Sequence, residues 1–426
     1  MQITNFFHFT TQENRYIFMK ALCIAGGVPH IELIKQLKAR GFTTILLDGN
    51  GACLARPYAD VFYQVNIFDT DAVKKIALDE KADLIITVCA DQVLLVVTKL
   101  SEELGLPCYV GYETSCKASD KIEMKRMFRR TGIPSSAFAE LDELDFDKIA
   151  SLRYPLIVKP VDAYSSRGVR KVLNREELVV FFDEAKKISR NGRVIVEEFN
   201  VGEEISVDAF VVNGKAQVLM ISQSDKIRDD NRFVIFRGKY PTDHEEEIIG
   251  DVQVICQKIA DELKLVNSPL LVQMIRTDRG VSVLEYCTRT GGNMKWLLIK
   301  YKSGVDVITA TIDASLGITP VIEVKEPRYK YVVNDFVYCS AGILDHLEGF
   351  DGMLEEDVIK EYRQVRLKGH TFTEIRSSGD RAVGFTITAD TFEELNEKQR
   401  RVNQSVKVID SLGKDIMRHD LLPDFH

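Results

Sequence analysis

Lys20-Ala-Leu-Cys-Ile-Ala25-Gly26-Gly27-Val28-Pro29 is the stretch on which the fold turns. An apolar run ends in a glycine pair, and a proline follows whose fixed φ suits the first turn of a helix. Ile31, Ile34 and Leu37 then recur at helical spacing as far as Gly41, and Thr43 to Leu47 reads as a second strand. Asp83-Leu-Ile-Ile-Thr-Val88 gives a further strand, about Asp91 to Leu104 a helix, and Cys108-Tyr-Val110 a short strand. Such alternation predicts a doubly wound parallel sheet. The run Gly26-Gly27-Val-Pro-His-Ile lacks the G-x-G-x-x-G spacing that lets a backbone approach a pyrophosphate. The glycine pair is therefore read as a tight turn bordering a substrate pocket.

Around this stretch lie 426 residues, 56 Lys+Arg against 64 Asp+Glu, for a net charge of −8. With 45% hydrophobic and 28% charged residues the composition is that of a globular protein of several domains. The acidic balance argues against an electrostatic nucleic-acid binder, though not against phosphate ligands held by a few local Lys and Arg residues. The opening residues MQITNFFHFTTQENR show no secretory pattern, and Leu84 to Val97, broken by Asp91 and Gln92, is too short to span a membrane. Eight cysteines, none in a C-x-x-C pair, predict reduced thiols, no structural metal and a cytoplasmic location.

From Ser119 the character changes. Asp120 and Glu123 have the spacing of a capping box at the start of a helix ending at Gly132. Strands are expected at Leu156 to Lys159, Gly168 to Leu173, Val194 to Phe199, Ile205 to Val212, Ala216 to Gln223, Leu271 to Arg276 and Val281 to Tyr286. Helices are expected at about Arg175 to Arg190 and Glu245 to Leu263. The last hundred residues predict a strand within Tyr329 to Cys339 and a hairpin of Thr371 to Arg376 with Val383 to Thr388. A final helix is capped at Thr391 and carries Leu395, Val402, Val406 and Ile409 on one side.

Three clusters carry chemistry. In Tyr154-Pro-Leu-Ile-Val-Lys159-Pro160, followed by a small-residue loop to Gly168, the loop N–H groups and the lysine could cradle a polyphosphate. An ordinary strand end before a polar turn has the same look. Glu197-Glu198-Phe199-Asn200, with Glu204 beyond, could present backbone groups to an adenine edge and a carboxylate to a ribose, or form a charged hairpin face. Gln273 and Glu285 fall where two antiparallel strands would set them side by side as oxygen donors for Mg²⁺, with Arg289 leaning over. A Glu–Arg pair closing a sheet edge is the alternative.

Taken in this order, from about residue 19 to about 415, the clusters resemble the ATP-grasp superfamily. The likeness is to carboxylate–amine ligases of the L-amino-acid ligase and carbamoyl-phosphate-synthase-like type. It implies a fold of α/β and α+β character: an N-terminal doubly wound parallel-sheet domain, a two-lobed ATP-grasp domain and a small C-terminal α+β subdomain. The expected divisions are 1–18 (an extension), 19–118, 119–196 (small lobe), 197–326 (large lobe) and 327–426. It further implies ATP and Mg²⁺ as cofactors, and amide formation through an acyl phosphate, with an amino acid or similar carboxylate and an amine as partners. A homodimer fits the family. By position, Lys121 and Lys159 correspond to the phosphate-contacting lysines, and Ser165, Ser166 and Gly168 to the loop over them. Glu197, Glu198, Phe199 and Asn200 correspond to the adenine hinge, Glu204 to the ribose carboxylate, Gln273 and Glu285 to the metal ligands, and Arg289 to the phosphoryl-stabilising arginine. Lys226, Arg228, Arg232 and Arg237 border the acceptor side by this resemblance, where any of them could hold a carboxylate, or the segment is a solvated loop with balanced charges. The family pattern E-x-N-x-R reads Glu285-Tyr-Cys287-Thr-Arg289 here, and a neutral thiol is a poor Mg²⁺ ligand. Either Asn293 or water fills that gap, or the second metal binds weakly, or the protein is a degenerate relative that binds nucleotide without catalysing.

Overall fold

The computed structural model describes residues 19–162, 168–227 and 234–423. The first sheet contains β1 (Lys20–Ile24), β2 (Thr43–Asp48), β3 (Val61–Gln64) and β4 (Leu84–Ile86), all parallel, in the order β3-β2-β1-β4. Alternate residues of β1 serve its two faces. Ala21 and Cys23 pack with the helix Val28–Ala39 and with residues of the distant helix Val307–Ser315. Leu22 and Ile24 pack with the helices Thr70–Glu80 and Asp91–Leu104. Two corrections apply. Val61–Gln64 is only partly buried, so this edge strand has no apolar alternation to announce it. Cys108 to Val110 forms no strand, and Tyr109 leaves the sheet to donate its hydroxyl to the Thr288 carbonyl at 2.9 Å.

A second sheet holds β5 (Phe138–Leu141), β6 (Leu156–Pro160), β7 (Arg170–Val172) and β8 (Val194–Glu198) in the order β5-β8-β6-β7. The helix Arg175–Ile188 covers it through Leu178, Phe182 and Ala185. Then come β9 (Glu203–Val212), β10 (Lys215–Lys226), β11 (Ile235–Tyr240), β12 (Ser268–Thr277), β13 (Gly280–Cys287) and β14 (Tyr331–Val337). The chain adds β15 (Gly342–Glu348), β16 (Glu361–Gln364), β17 (Thr371–Phe372), β18 (Val383–Ala389) and β19 (Lys407–Asp410). Eight of these strands form one sheet, β13-β12-β9-β10-β11-β14-β18-β16, so the expected division between 326 and 327 runs through a continuous structure. The division at 196/197 likewise falls inside β8.

The expected hairpin is also corrected. All seven residues of β18 are buried, and such a central strand takes neighbours on both sides, here β14 and β16. β17 pairs instead with β15. Thr391 caps the last helix by accepting from the Glu394 N–H at 3.1 Å, but the helix Phe392–Ser405 stops before Val406, and Ile409 belongs to β19.

Candidate active site

A cleft of ≈ 2210 Å³ is walled by residues from the first sheet's loops, the second sheet and the eight-stranded sheet. Lys159 enters it from β6, opposite Ile195 of β8, with Glu197 two residues further along the same face. The Lys159 ammonium bonds Glu197 Oε1, and Lys125 lies 2.7 Å from Oε2. Lys125 also donates to Ser135 Oγ at 2.6 Å and Ser136 Oγ at 3.0 Å, and Ser136 donates to Glu197 at 3.0 Å. Burial alone would raise the Glu197 carboxyl; the Lys125 and Lys159 charges overcome it and hold the group down at about 2.

The expected hinge is at the cleft wall, but its groups are partly engaged. The Glu197 side chain turns to the lysines, the Glu198 N–H donates to the Ala137 carbonyl, and the Phe199 N–H donates to the Pro155 carbonyl, both at 3.0 Å. Asn200 Nδ2 donates to Ser282 at 2.8 Å. Glu204 lines the cleft from β9 in an ion pair with Lys226, so Lys226 is not an independent carboxylate holder. Arg237 is similarly committed, with its Nε 2.6 Å from Asp335 Oδ1 in the buried sheet. Ser165, Ser166, Arg228 and Arg232 lie outside the described residues. Gly168, with φ +74°, has no room for a side chain: a Cβ would come within 2.9 Å of Ile188 and Pro160.

Gln273 and Glu285 stand opposite one another across β12 and β13, beside a bulge in the register, as their spacing predicts. Lys121, first residue of the helix Lys121–Thr131, reaches within 3.5 Å of Glu285. Its helix starts on Asp120, whose carboxylate accepts from the Ile122 and Glu123 N–H groups at 2.8 and 3.1 Å. No cluster of three or more His, Cys, Asp or Glu exists among the described residues. That is compatible with Mg²⁺, which takes one or two protein oxygens and completes its shell with phosphates and water. Asn293 Oδ1, also at the cleft, is buried without a hydrogen-bond partner among the described residues.

Arg289 meets a residue that sequence reasoning passed over. Its Nε and Nη2 contact the two carboxylate oxygens of Asp91 at 2.5 and 2.6 Å, a bidentate pair joining the first helix after β4 to the strand end after β13. Cys287 also hydrogen-bonds Asp91; burial foremost, with the Asp91 charge, pushes the thiol well above its ordinary value, so it stays protonated. Deeper still, Asp208 of β9 lies 3.3 Å from Lys295, its carboxyl raised by burial despite that neighbour. Lys125 had a sequence signal, one helical turn from Lys121 on the same face. Asp91 showed only as a polar break in an apolar run, and Asp208 and Lys295 gave none.

Residues 127–267 match the family model described as D-ala D-ala ligase C-terminus. The L-amino acid ligase of Bacillus licheniformis superposes with a TM-score of 0.77 at 17% identity, covering 92% of this chain and 99% of that one. The chain has the ATP-grasp fold. Phosphoribosylglycinamide synthetase of Anaerococcus prevotii shares this ATP-grasp architecture with a TM-score of 0.75 at 20% identity, over 92% of this chain and 100% of that one. In sequence, the D-alanine–D-alanine ligase of Clostridium beijerinckii is 27% identical over 223 residues, 50% of this chain and 71% of that one. The carbamoyl phosphate synthase large chain of Lachnoclostridium phytofermentans is 26% identical over 179 residues, 39% of this chain but only 17% of that one. This ATP-grasp chain thus spans under a fifth of the synthase. No helix among its described residues is long and apolar enough to cross a membrane.

Proposed function

We propose that the chain is an ATP-dependent carboxylate–amine ligase, acting on an amino acid or similar small carboxylate. The observation that carries this reading is the convergence of Lys121, Lys159, Gln273, Glu285 and Arg289 on one cleft. Lys121 and Lys159 would hold the ATP phosphates as point charges. Mg²⁺ held by Gln273 and Glu285 would supply charge neutralisation across the phosphates. Arg289 would exchange Asp91 for the oxygens of the transferring phosphoryl group, one anion for another, at little desolvation cost. The carboxylate oxygen takes the γ-phosphoryl group as the bond to ADP breaks. The amine nitrogen then attacks the acyl carbon, phosphate leaves and the amine loses a proton. The chain's part is to position and neutralise, with no covalent enzyme intermediate.

The test is phosphate release from MgATP with pools of amino acids, other carboxylates and amines, with the product mass identified. Lys159→Ala and Glu285→Ala are each expected to lose at least about 100-fold in turnover while far-ultraviolet circular dichroism is unchanged. Full activity in both would remove the site assignment. A second reading, a nucleotide-binding protein without catalysis, is favoured by one observation: the protonated Cys287 thiol stands where the family supplies a metal-binding Asn. Appearance of turnover in Cys287→Asn from an inactive parent would establish that reading; an active parent would dismiss it.

A further inference from the structure

The cations that line the cleft are not evenly matched. From Lys121–Glu285 and Lys159–Glu197 to Arg289–Asp91 and Lys295–Asp208, the ammonium and guanidinium groups towards the nucleotide side each have a carboxylate partner. Towards the C-terminal end, Lys239, Lys368 and Arg418 also have one, in Asp225, Asp345 and Asp420. Arg366 and Arg381 line the same cleft and have none among the described residues.

These two arginines are neighbours. The Val365 N–H donates to the Ala382 carbonyl at 2.8 Å, continuing the pairing of β16 with β18 and setting 366 and 381 at adjacent positions across the strands. Arg381 is 9% exposed; its Nη2 donates to the Ile235 carbonyl at 3.0 Å, its Nε to the Tyr338 hydroxyl at 3.2 Å, and its guanidinium stacks 3.7 Å from the Phe336 ring centroid. Arg366 donates through Nη2 to the Gly379 carbonyl, and its Nε is buried with no hydrogen-bond partner among the described residues. Like charges at adjacent cross-strand positions repel, and the half-buried Arg366 keeps one buried N–H, at Nε, that an anion would satisfy. Burial first and the Arg366 charge second lower the titration of His370, with the Asp380 carboxylate, which makes no ion pair with either arginine, opposing them.

We infer that Arg366 and Arg381 form an anion subsite at the C-terminal end of the cleft, which takes a second anionic group, a carboxylate or a phosphate ester, on one of the ligase substrates. The inference rests on the ligase reading for the word substrate, though not for the binding of the anion. A guanidinium pair suits either group, since both present paired oxygens to the planar fork.

The test titrates inorganic phosphate and, separately, glutarate into the full chain by calorimetry. Four proteins are compared: the parent, Arg366→Gln, Arg366→Lys and Lys159→Ala. Arg366→Gln is expected to weaken anion binding about 10–100-fold, as loss of a charge-assisted hydrogen bond implies. Arg366→Lys should recover part of that loss, and Lys159→Ala should leave this binding in place. Tighter phosphate than glutarate supports a phosphorylated substrate, and the reverse a carboxylate. Absence of millimolar binding in the parent overturns the subsite, as does binding that survives Arg366→Gln but vanishes in Lys159→Ala. Should MgATP turnover fail with every pool while Arg366-dependent binding persists, the ligase reading falls and the anion site stands. Arg366 is the position tested because Arg381 also holds Tyr338 and Ile235, so its replacement would disturb the sheet.

Discussion

Glu197 is gripped by two ammonium groups, that of the helix residue Lys125 as well as that of the strand-end Lys159. Lys125→Met would leave the buried carboxylate with one cation and is expected to destabilise the fold by about 3–5 kcal/mol, read as a shift in urea midpoint at neutral pH. The sign of the pH dependence follows from the depressed carboxyl. The stabilisation is present above the ordinary glutamate value and is lost as pH falls through about 2, so the gap between parent and variant should narrow in acid. A gap that is unchanged at pH about 3 would show that Lys125 acts through packing alone. The positions of the strand-end Lys159 and of the register-paired Gln273 and Glu285 were readable, because strand pairing follows a period of two along adjacent strands. Lys125 and Asp91 were not, since their partners are 72 and 198 positions away and nothing local marks them.

The turn between β8 and β9 is pinned by close approach of backbone. A Cβ on Gly202 would lie 1.9 Å from the Arg276 carbonyl oxygen and 2.8 Å from Ile275 Cγ2, so no side chain fits without parting β9 from β12. Gly202→Ala is expected to cost at least about 1–3 kcal/mol and to weaken MgADP binding more than tenfold, because Glu204 follows two residues later. Thermal melting and nucleotide titration would measure the two effects, and a variant that melts and binds like the parent would refute the pinning. Most helices were readable from their caps and apolar spacing; Asp91–Leu104 falls where the periodicity places it. The misreadings share a cause. β17 and β18 look like a hairpin in sequence, but burial of β18 on both sides sends its partner strands elsewhere, and only the three-dimensional arrangement decides which strands those are.

The first sheet's α/β character was evident from strand–helix alternation alone, whereas the extent of the large sheet was not. Nothing between β13 and β14, two helices and a polar stretch, announces that the chain will return to the strand it left at Tyr240. β14 pairs with β11 at Arg237 opposite Asp335, so the buried ion pair and the strand pairing are one event. The C-terminal portion is thus structural for the cleft as well as a wall of it.

That shared sheet has a practical consequence for anyone wishing to isolate a minimal nucleotide-binding fragment. Ending the chain at residue 326 would strip β14 from β11 and present a row of unpaired N–H and C=O groups beside uncovered Val234 and Phe236, with Arg237 bereft of Asp335. Such an edge invites another copy to add its own strand. The fragment is expected to elute from size exclusion as large, heterogeneous assemblies, and a monodisperse monomer would refute this. Because the eight-stranded sheet is continuous through β18, the smallest unit expected to remain monodisperse in solution extends at least that far.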